Sequence, residues 1–191
     1  MALGRRGFMS VGAAVACCAL AAACSPDPAP SSAPAPSPVA TTPSESQIER
    51  QMRLDYEAAE EAYRASLAEH DRQAQLGIAS EAALRKTATG VYLDFSLRSL
   101  RRSRNAGWRA AGTTKVVNVV GSGWQQRKVR LIACEDSSGV VFTDKHGRDV
   151  TPRLTRTYVQ DLTARKSGGD WKIADISSTL VRSFEGQPCA A

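Results

Sequence analysis

The sequence predicts an α+β domain in which N-terminal helices pack on an antiparallel sheet. Between residues 48 and 67, apolar residues recur every three or four positions, the spacing that places them on one face of a helix. After residue 112 the apolar residues are mostly β-branched and alternate with polar ones in short runs, which is typical of strands. Helices followed by consecutive strands, without alternation between the two, indicate an α+β arrangement.

The first predicted element is a long amphipathic helix over residues 45 to 76. Ser44 is expected as its N-cap, with Gln47 completing a capping box, and Gly77 is expected to end it. Its narrow apolar stripe consists of Ile48, Met52, Tyr56, Ala59, Tyr63 and Leu67. The stripe either binds a partner helix or docks on the domain's own sheet. We expect docking, because the stripe lasts under three heptads.

The remaining α+β domain is predicted to span residues 77 to 191. A second helical stretch opens at Ser80 and runs to Leu100, and Gly90 either divides it or lies inside it. Five strand-like runs follow, separated by turns rich in glycine and serine, the first of which is Gly121-Ser122-Gly123. These runs cover residues 113 to 120, 127 to 136, 140 to 144, 154 to 165 and 171 to 184.

Residues 1 to 23 are predicted to be a signal peptide. Arg5 and Arg6 precede an apolar run over residues 11 to 23, which is too short for a permanent span of a hydrocarbon core about 30 Å thick. The run ends at Ala23-Cys24, and this ending is similar to the cleavage site of bacterial lipoproteins, whose cysteine sulfur carries diacylglycerol. We therefore expect lipidation at Cys24. The alternative is an ordinary signal peptide that ends near Ala23.

A stalk is predicted between the lipidated cysteine and the domain. Residues 24 to 44 contain most of the chain's nine prolines, mixed with alanine, serine and threonine. Such a segment cannot bury apolar surface and is expected to stay disordered and extended. At about 3.1 Å per residue it would reach at most about 60 Å.

Cysteine usage fits an exported protein. Of the five cysteines, Cys17 and Cys18 lie in the predicted signal peptide and Cys24 is assigned to lipid. Cys134 and Cys189 remain, and in an oxidising compartment we expect them to form a disulfide rather than two free thiols.

No metal or cofactor is expected. The two histidines, His70 and His146, are distant from each other and from the cysteines, without the spacing of metal ligands. The sequence also has no phosphate loop and no dinucleotide fingerprint.

The order of elements resembles the nuclear-transport-factor-two-like superfamily, which includes SnoaL-like and ketosteroid-isomerase-like proteins. The residues that carry the resemblance are the 91 to 95 helix, the 158 to 165 strand, the Gly168-Gly169-Asp170 hairpin and the 171 to 176 strand. Exported actinobacterial lipoproteins often join this domain to a stalk rich in proline and alanine. The resemblance implies a cone, formed by a curved sheet wrapped round the helices, with a pocket inside.

The resemblance also suggests candidates for acid–base chemistry. Enzymes of the superfamily place a carboxylate and a tyrosine or aspartic acid donor inside the apolar cone. Asp94 and Tyr158 are the candidates for such roles in an isomerase-like or cyclase-like enzyme. The simpler reading of Asp94 is an exposed ion pair with Arg98, so catalysis is the minority hypothesis.

A basic run is the most conspicuous charge feature of the predicted domain. It comprises Arg98, Arg101, Arg102, Arg104 and Arg109, with Trp108 between the last two. Outside the cytoplasm such residues suit an anionic lipid, an envelope polymer or an acidic protein rather than nucleic acid. The alternative is a solvated helix end, where cations are favoured.

These observations together predict a non-catalytic binding module. It would be exported by the general secretory or the twin-arginine route, since the Arg5-Arg6 pair fits both, and held by lipid on the outer face of the cell membrane. An isomerase-like or cyclase-like enzyme acting on a small apolar substrate is one alternative. A prophage-encoded lipoprotein that excludes a second phage is another.

Overall fold

The computed structural model describes residues 45–152 and 156–189. The predicted signal peptide, Cys24 and the predicted stalk all lie outside the described residues. None of the described helices combines the length and apolar content needed to cross a bilayer.

Helix α1 covers Gln47–Leu76, and its capping differs from the prediction by two residues. The N-cap is Ser46, whose Oγ accepts from the Glu49 backbone N–H at 3.2 Å, while the Glu49 carboxylate accepts from the Ser46 N–H at 2.8 Å. These backbone and side-chain hydrogen bonds lower the pKa of Glu49. The predicted pair of Ser44 and Gln47 was therefore wrong. A carboxylate accepts more strongly than an amide and is favoured near a helix N-terminus.

The second helical stretch is divided into α2, Glu81–Leu84, and α3, Gly90–Asn105. Gly90 makes the division because it is the first residue of α3 and has a φ of 54°. A Cβ there would lie 2.9 Å from the carbonyl oxygen of Ala174. The neighbouring Thr89 N–H donates to the Ile173 carbonyl at 2.8 Å, so the start of α3 is held against the last strand.

In the described residues, six strands follow the helices and form two antiparallel sheets. Their bounds are β1 Arg109–Ala111, β2 Lys115–Gln125, β3 Lys128–Asp136, β4 Val141–Thr143, β5 Thr157–Ser167 and β6 Asp170–Val181. The main sheet has the order β2-β3-β5-β6, and β1 pairs with β4 in the small one. The predicted α+β class, with helices packed on an antiparallel sheet, is confirmed. The order of helices and strands is the one that the superfamily resemblance implies.

The predicted turn at Gly121-Ser122-Gly123 was wrong, because β2 continues through it to Gln125. The pairing of β2 with β3 shifts register between Gly121 and Gly123, and such irregularities bend a strand. A Cβ at Gly121 would lie 2.4 Å from the ring of Tyr56. The glycine thus gives room for an α1 side chain and is not a chain reversal.

The inner face of the main sheet carries the core at one end. Leu131, Leu162 and Ile173 are almost completely buried there. The helices cover them with Tyr63, Leu84, Leu93, Leu97 and Leu100. We call this region the closed end, and the other end of the same face the open end. The open end is formed by Glu135, Tyr158, Gln160, Ser178 and Leu180, which share its face because their pairing partners and two-residue spacing match.

The predicted disulfide between Cys134 and Cys189 is confirmed, with the two Cα atoms 5.9 Å apart. Because side chains alternate along a strand, Cys134 lies on the face of β3 opposite Glu135. Both cysteines are fully buried. The bridge therefore holds the segment after β6 against the outer face, directly behind the open end.

Candidate ligand-binding cavity

A cavity of about 590 Å³ lies between the open end of the sheet, α1 and α3. Small side chains leave this space unfilled, since Ala74 of α1, Ser96 and Ser99 of α3 and Ser178 of β6 all line it. Apolar walls come from Leu67, Phe95, Val140, Phe142, Ile176 and Leu180. The cavity is thus mostly apolar, with polar groups both on the sheet and on the helices.

Glu135 is the buried carboxylate on the sheet side of this cavity, with 6% of its surface exposed. The Tyr63 hydroxyl donates to one of its oxygens, and the Gln160 amide donates to the other at 2.8 Å. Ser178 in turn donates to the Gln160 carbonyl oxygen. Strand register explains the cluster, because Gln160 pairs with Ser178 and Tyr158 pairs with Glu135.

The surroundings of Glu135 favour its neutral form. Within the described ranges, no lysine, arginine or histidine nitrogen lies within 4 Å of its carboxylate. Burial raises the pKa of Glu135, and the hydrogen bond from Gln160 opposes this shift only in part. A carboxyl group of this kind can donate a hydrogen bond to a ligand oxygen when it is protonated and accept one when it is ionised.

The opposite wall carries polar groups that are already engaged. Asp71 of α1 accepts from the Thr114 backbone N–H at 2.7 Å, so it fastens the chain before β2 to the helix. The His70 Nδ1 lies 3.9 Å from an Asp71 oxygen. Burial raises the pKa of the Tyr92 hydroxyl, against smaller opposing contributions from Ser66 and Ser96. These side chains belong to the helix side of the cavity, whereas Glu135 and Gln160 are hydrogen-bonded to each other on the sheet side.

The structure separates the two predicted catalytic candidates. Tyr158 lines the cavity. It is paired with Glu135 on the adjacent strand. Asp94 is exposed on α3 and is not among the lining residues. No salt bridge within 4 Å joins Asp94 to Arg98 in the described part of the chain. The carboxylates that line the cavity are Glu135 and Asp71 instead.

Sequence reasoning passed over Glu135, although a signal for it exists. Val129, Leu131, Ala133 and Glu135 alternate along one predicted strand, which places the glutamate on the same face as three apolar residues. Its neighbour Asp136 and the following Ser137-Ser138-Gly139 turn are polar, which is typical of a solvated strand end.

The predicted basic surface is distributed over several environments. Arg98, Arg101, Arg102 and Arg104 are exposed on α3, and Arg101 lies 3.5 Å from Glu81. Arg109 is on β1, where its guanidinium occupies the space beside Gly77 at the end of α1. Trp108 is half-buried, and its ring centroid lies 6.5 Å from that of Phe142, a cavity-lining residue.

No group of three or more metal-ligating side chains occurs among the residues that the structure describes.

No protein-family model and no curated protein matches the chain. Among solved structures, it is similar to the intermembrane space region of the chloroplast protein ARC6, with 14% identity and a TM-score of 0.48 over 66% of this chain and 98% of that one. A protein from Kribbella flavida has 13% identity and a TM-score of 0.42, over 66% of this chain and 90% of that chain. A Novosphingobium aromaticivorans protein provisionally assigned as a scytalone dehydratase has 11% identity and a TM-score of 0.40, over 70% and 92%. At these identities none of them informs on the function of this chain.

Proposed function

We propose that this protein is a membrane-anchored lipoprotein of the cell envelope whose domain binds a small, mostly apolar ligand without transforming it. The observation that carries the proposal is the cavity of about 590 Å³ at the open end of the sheet. Its volume lies within the usual range for small-molecule sites, which are mainly apolar with a few convergent polar groups. In a structural core, side chains would fill this space, as they do at the closed end of the same sheet.

The polar groups define what the ligand must carry. Glu135 and Gln160 are bonded to each other at the floor, and Tyr158 lies beside them. A suitable ligand has an apolar body and one carbonyl, hydroxyl or amide group. The body contacts the apolar walls, and the polar group exchanges its hydrogen bonds to water for hydrogen bonds to the floor. A fully apolar ligand would leave part of this polar surface without a partner.

Binding can be tested with an environment-sensitive naphthylamine dye, whose fluorescence rises on entering an apolar site. We expect saturable enhancement with the full chain. Ser178→Trp fills the cavity and should weaken dye binding at least roughly tenfold, as expected when a buried binding contact worth about 1.4 kcal/mol is lost. The matched control is Ser177→Trp, because Ser177 is the adjacent β6 residue on the opposite face. Equal dye binding by the two variants would refute a ligand site in the cavity.

The anchor and the location rest on the sequence. Cys24 follows a short apolar run and precedes a proline-rich segment, which supports lipid attachment and export by the general secretory or twin-arginine route. Cys24→Ala should release the protein from the membrane fraction of the producing cell. Persistent membrane association of this variant would contradict lipidation at Cys24.

A second candidate is an isomerase-like or cyclase-like enzyme, favoured by Glu135 rather than by Asp94. A carboxyl group with a raised pKa in an apolar cavity suits proton transfer next to a ligand carbonyl. The test is deuterium incorporation from heavy water into a panel of β,γ-unsaturated ketones, followed by mass spectrometry. Exchange that Glu135→Gln abolishes while dye binding persists would establish catalysis. Exchange unchanged in this variant would exclude Glu135 as the base.

A further inference from the structure

Exposed apolar side chains border the opening of the cavity from two sides. Phe95 of α3 and Leu180 of β6 both line it, yet 46% and 50% of their surfaces are exposed. Val91 lies one helical turn before Phe95 and is 54% exposed. The opening thus has apolar groups in contact with solvent on two sides, and exposed apolar groups are typical of a binding surface when they are contiguous.

Two of the four α3 arginines belong to this border. At about 100° per residue, Val91, Phe95, Arg98 and Arg102 fall within about 60° of the helix circumference. Arg101 and Arg104 lie about 60° and about 120° beyond Arg98, outside this arc. Arg101 bridges to Glu81, whereas in the described ranges no carboxylate lies within 4 Å of Arg98 or Arg102. The helix edge beside the opening therefore carries two apolar residues followed by two uncompensated cations.

We infer that this border, formed by Val91, Phe95, Leu180, Arg98 and Arg102, docks on the surface of an anionic phospholipid bilayer. Phe95 and Leu180 would enter the boundary between headgroups and acyl chains, and the two arginines would lie at the phosphates. Apolar groups flanked by cations are the combination that binds such surfaces. The inference rests on the proposed function, because docking brings the open cavity to the source of an apolar ligand.

The predicted tether is long enough for this orientation. The cavity lies beside residues 67 to 74 of α1, about 35 Å from the start of that helix at 1.5 Å per residue. A proline-rich stalk of about 20 residues reaches about 60 Å. A lipid on Cys24 therefore permits contact between the opening and the same bilayer. An apolar ligand would then pass between bilayer and cavity without crossing water.

Site-specific photocrosslinking in the full chain tests the docking surface. Phe95→p-benzoylphenylalanine and Leu180→p-benzoylphenylalanine are reconstituted in vesicles of phosphatidylglycerol and phosphatidylcholine, and lipid adducts are quantified by mass spectrometry. The matched control is Val117→p-benzoylphenylalanine, because Val117 is also exposed but lies on β2, the opposite edge strand. We expect adducts at 95 and 180, few at 117, and a marked decrease in pure phosphatidylcholine.

The arginines are tested in the same assay. Arg98→Glu with Arg102→Glu should lower the adduct yield at position 95 roughly tenfold, whereas Arg101→Glu with Arg104→Glu should change it little. Equal yields at 95 and 117, or equal effects of the two arginine pairs, would overturn the docking surface. Dye binding separates this outcome from failure of the proposed function, since the Arg98→Glu, Arg102→Glu variant should bind the dye normally and Ser178→Trp should not.

Discussion

The two ends of the sheet's inner face use the same strands and the same alternation, yet one is filled and the other is open. At the closed end, Leu131, Leu162 and Ile173 meet leucines of the helices and are buried. At the open end, Glu135, Gln160 and Ser178 occupy the equivalent positions and line a cavity. The closed end carries leucine and isoleucine, whereas the open end carries two polar side chains and a serine, so a few positions distinguish the core from the cavity on this face.

The largest expected effect comes from shortening a side chain at the closed end. Leu131→Ala should lower the free energy of unfolding by about 3 kcal/mol, because it leaves a void in a packed core. Leu180→Ala at the open end should cost less than about 1 kcal/mol, since half of that side chain is already in water. Urea denaturation of both variants measures the contrast. Similar losses would show that the open end is as tightly packed as the closed end.

An intermediate effect is expected where the two ends meet. Tyr63 is fully buried and donates to Glu135, so Tyr63→Phe should cost about 1 to 2 kcal/mol of unfolding free energy by removing a buried donor. The matched control is Tyr158→Phe, whose hydroxyl has no hydrogen-bond partner among the described residues, and which should be nearly neutral in the same denaturation assay. A neutral Tyr63→Phe would mean that the network contributes no stability.

The smallest expected effect is the contribution of Glu135 to the pH dependence of the unfolding free energy. Its pKa is raised above 4.5 by burial, so the folded protein binds this proton more tightly than the unfolded chain does. Its contribution to stability is therefore fully present below 4.5 and is lost as the pH rises through the raised pKa. The difference in unfolding free energy between the wild type and Glu135→Gln should change in that window. A difference that is independent of pH would show that the Glu135 pKa is not raised.

The fold class could be predicted because its signals are local. Apolar spacing gave the long helix and alternation gave the sheet, while Gly77 marked the helix end, where its φ is 62°. Where a feature depended on a distant partner, the local signal misled. Gly121 looked like a turn because the sequence does not show that the ring of Tyr56 needs its space.

Buried polar residues were the least predictable part of the core. Asp55 of α1 is only 2% exposed, because it accepts from the Trp124 indole N–H at 2.8 Å. Gln73 is fully buried and bonds to both the N–H and the carbonyl of Ser80. A hydropathy pattern assigns such residues to the solvent side, since their partners lie elsewhere in the chain. Glu135 was missed for the same reason, and with it the floor of the cavity.

The disulfide behind the open end also sets an order of assembly. The bridge joins β3 to the segment after β6, so it closes a covalent ring that contains β4, β5 and β6. Because Cys189 follows β6 in the chain, the ring cannot close until that strand has been synthesised. Formation of the disulfide therefore follows synthesis of all the strands that it encloses. A chain truncated before residue 189 cannot form it.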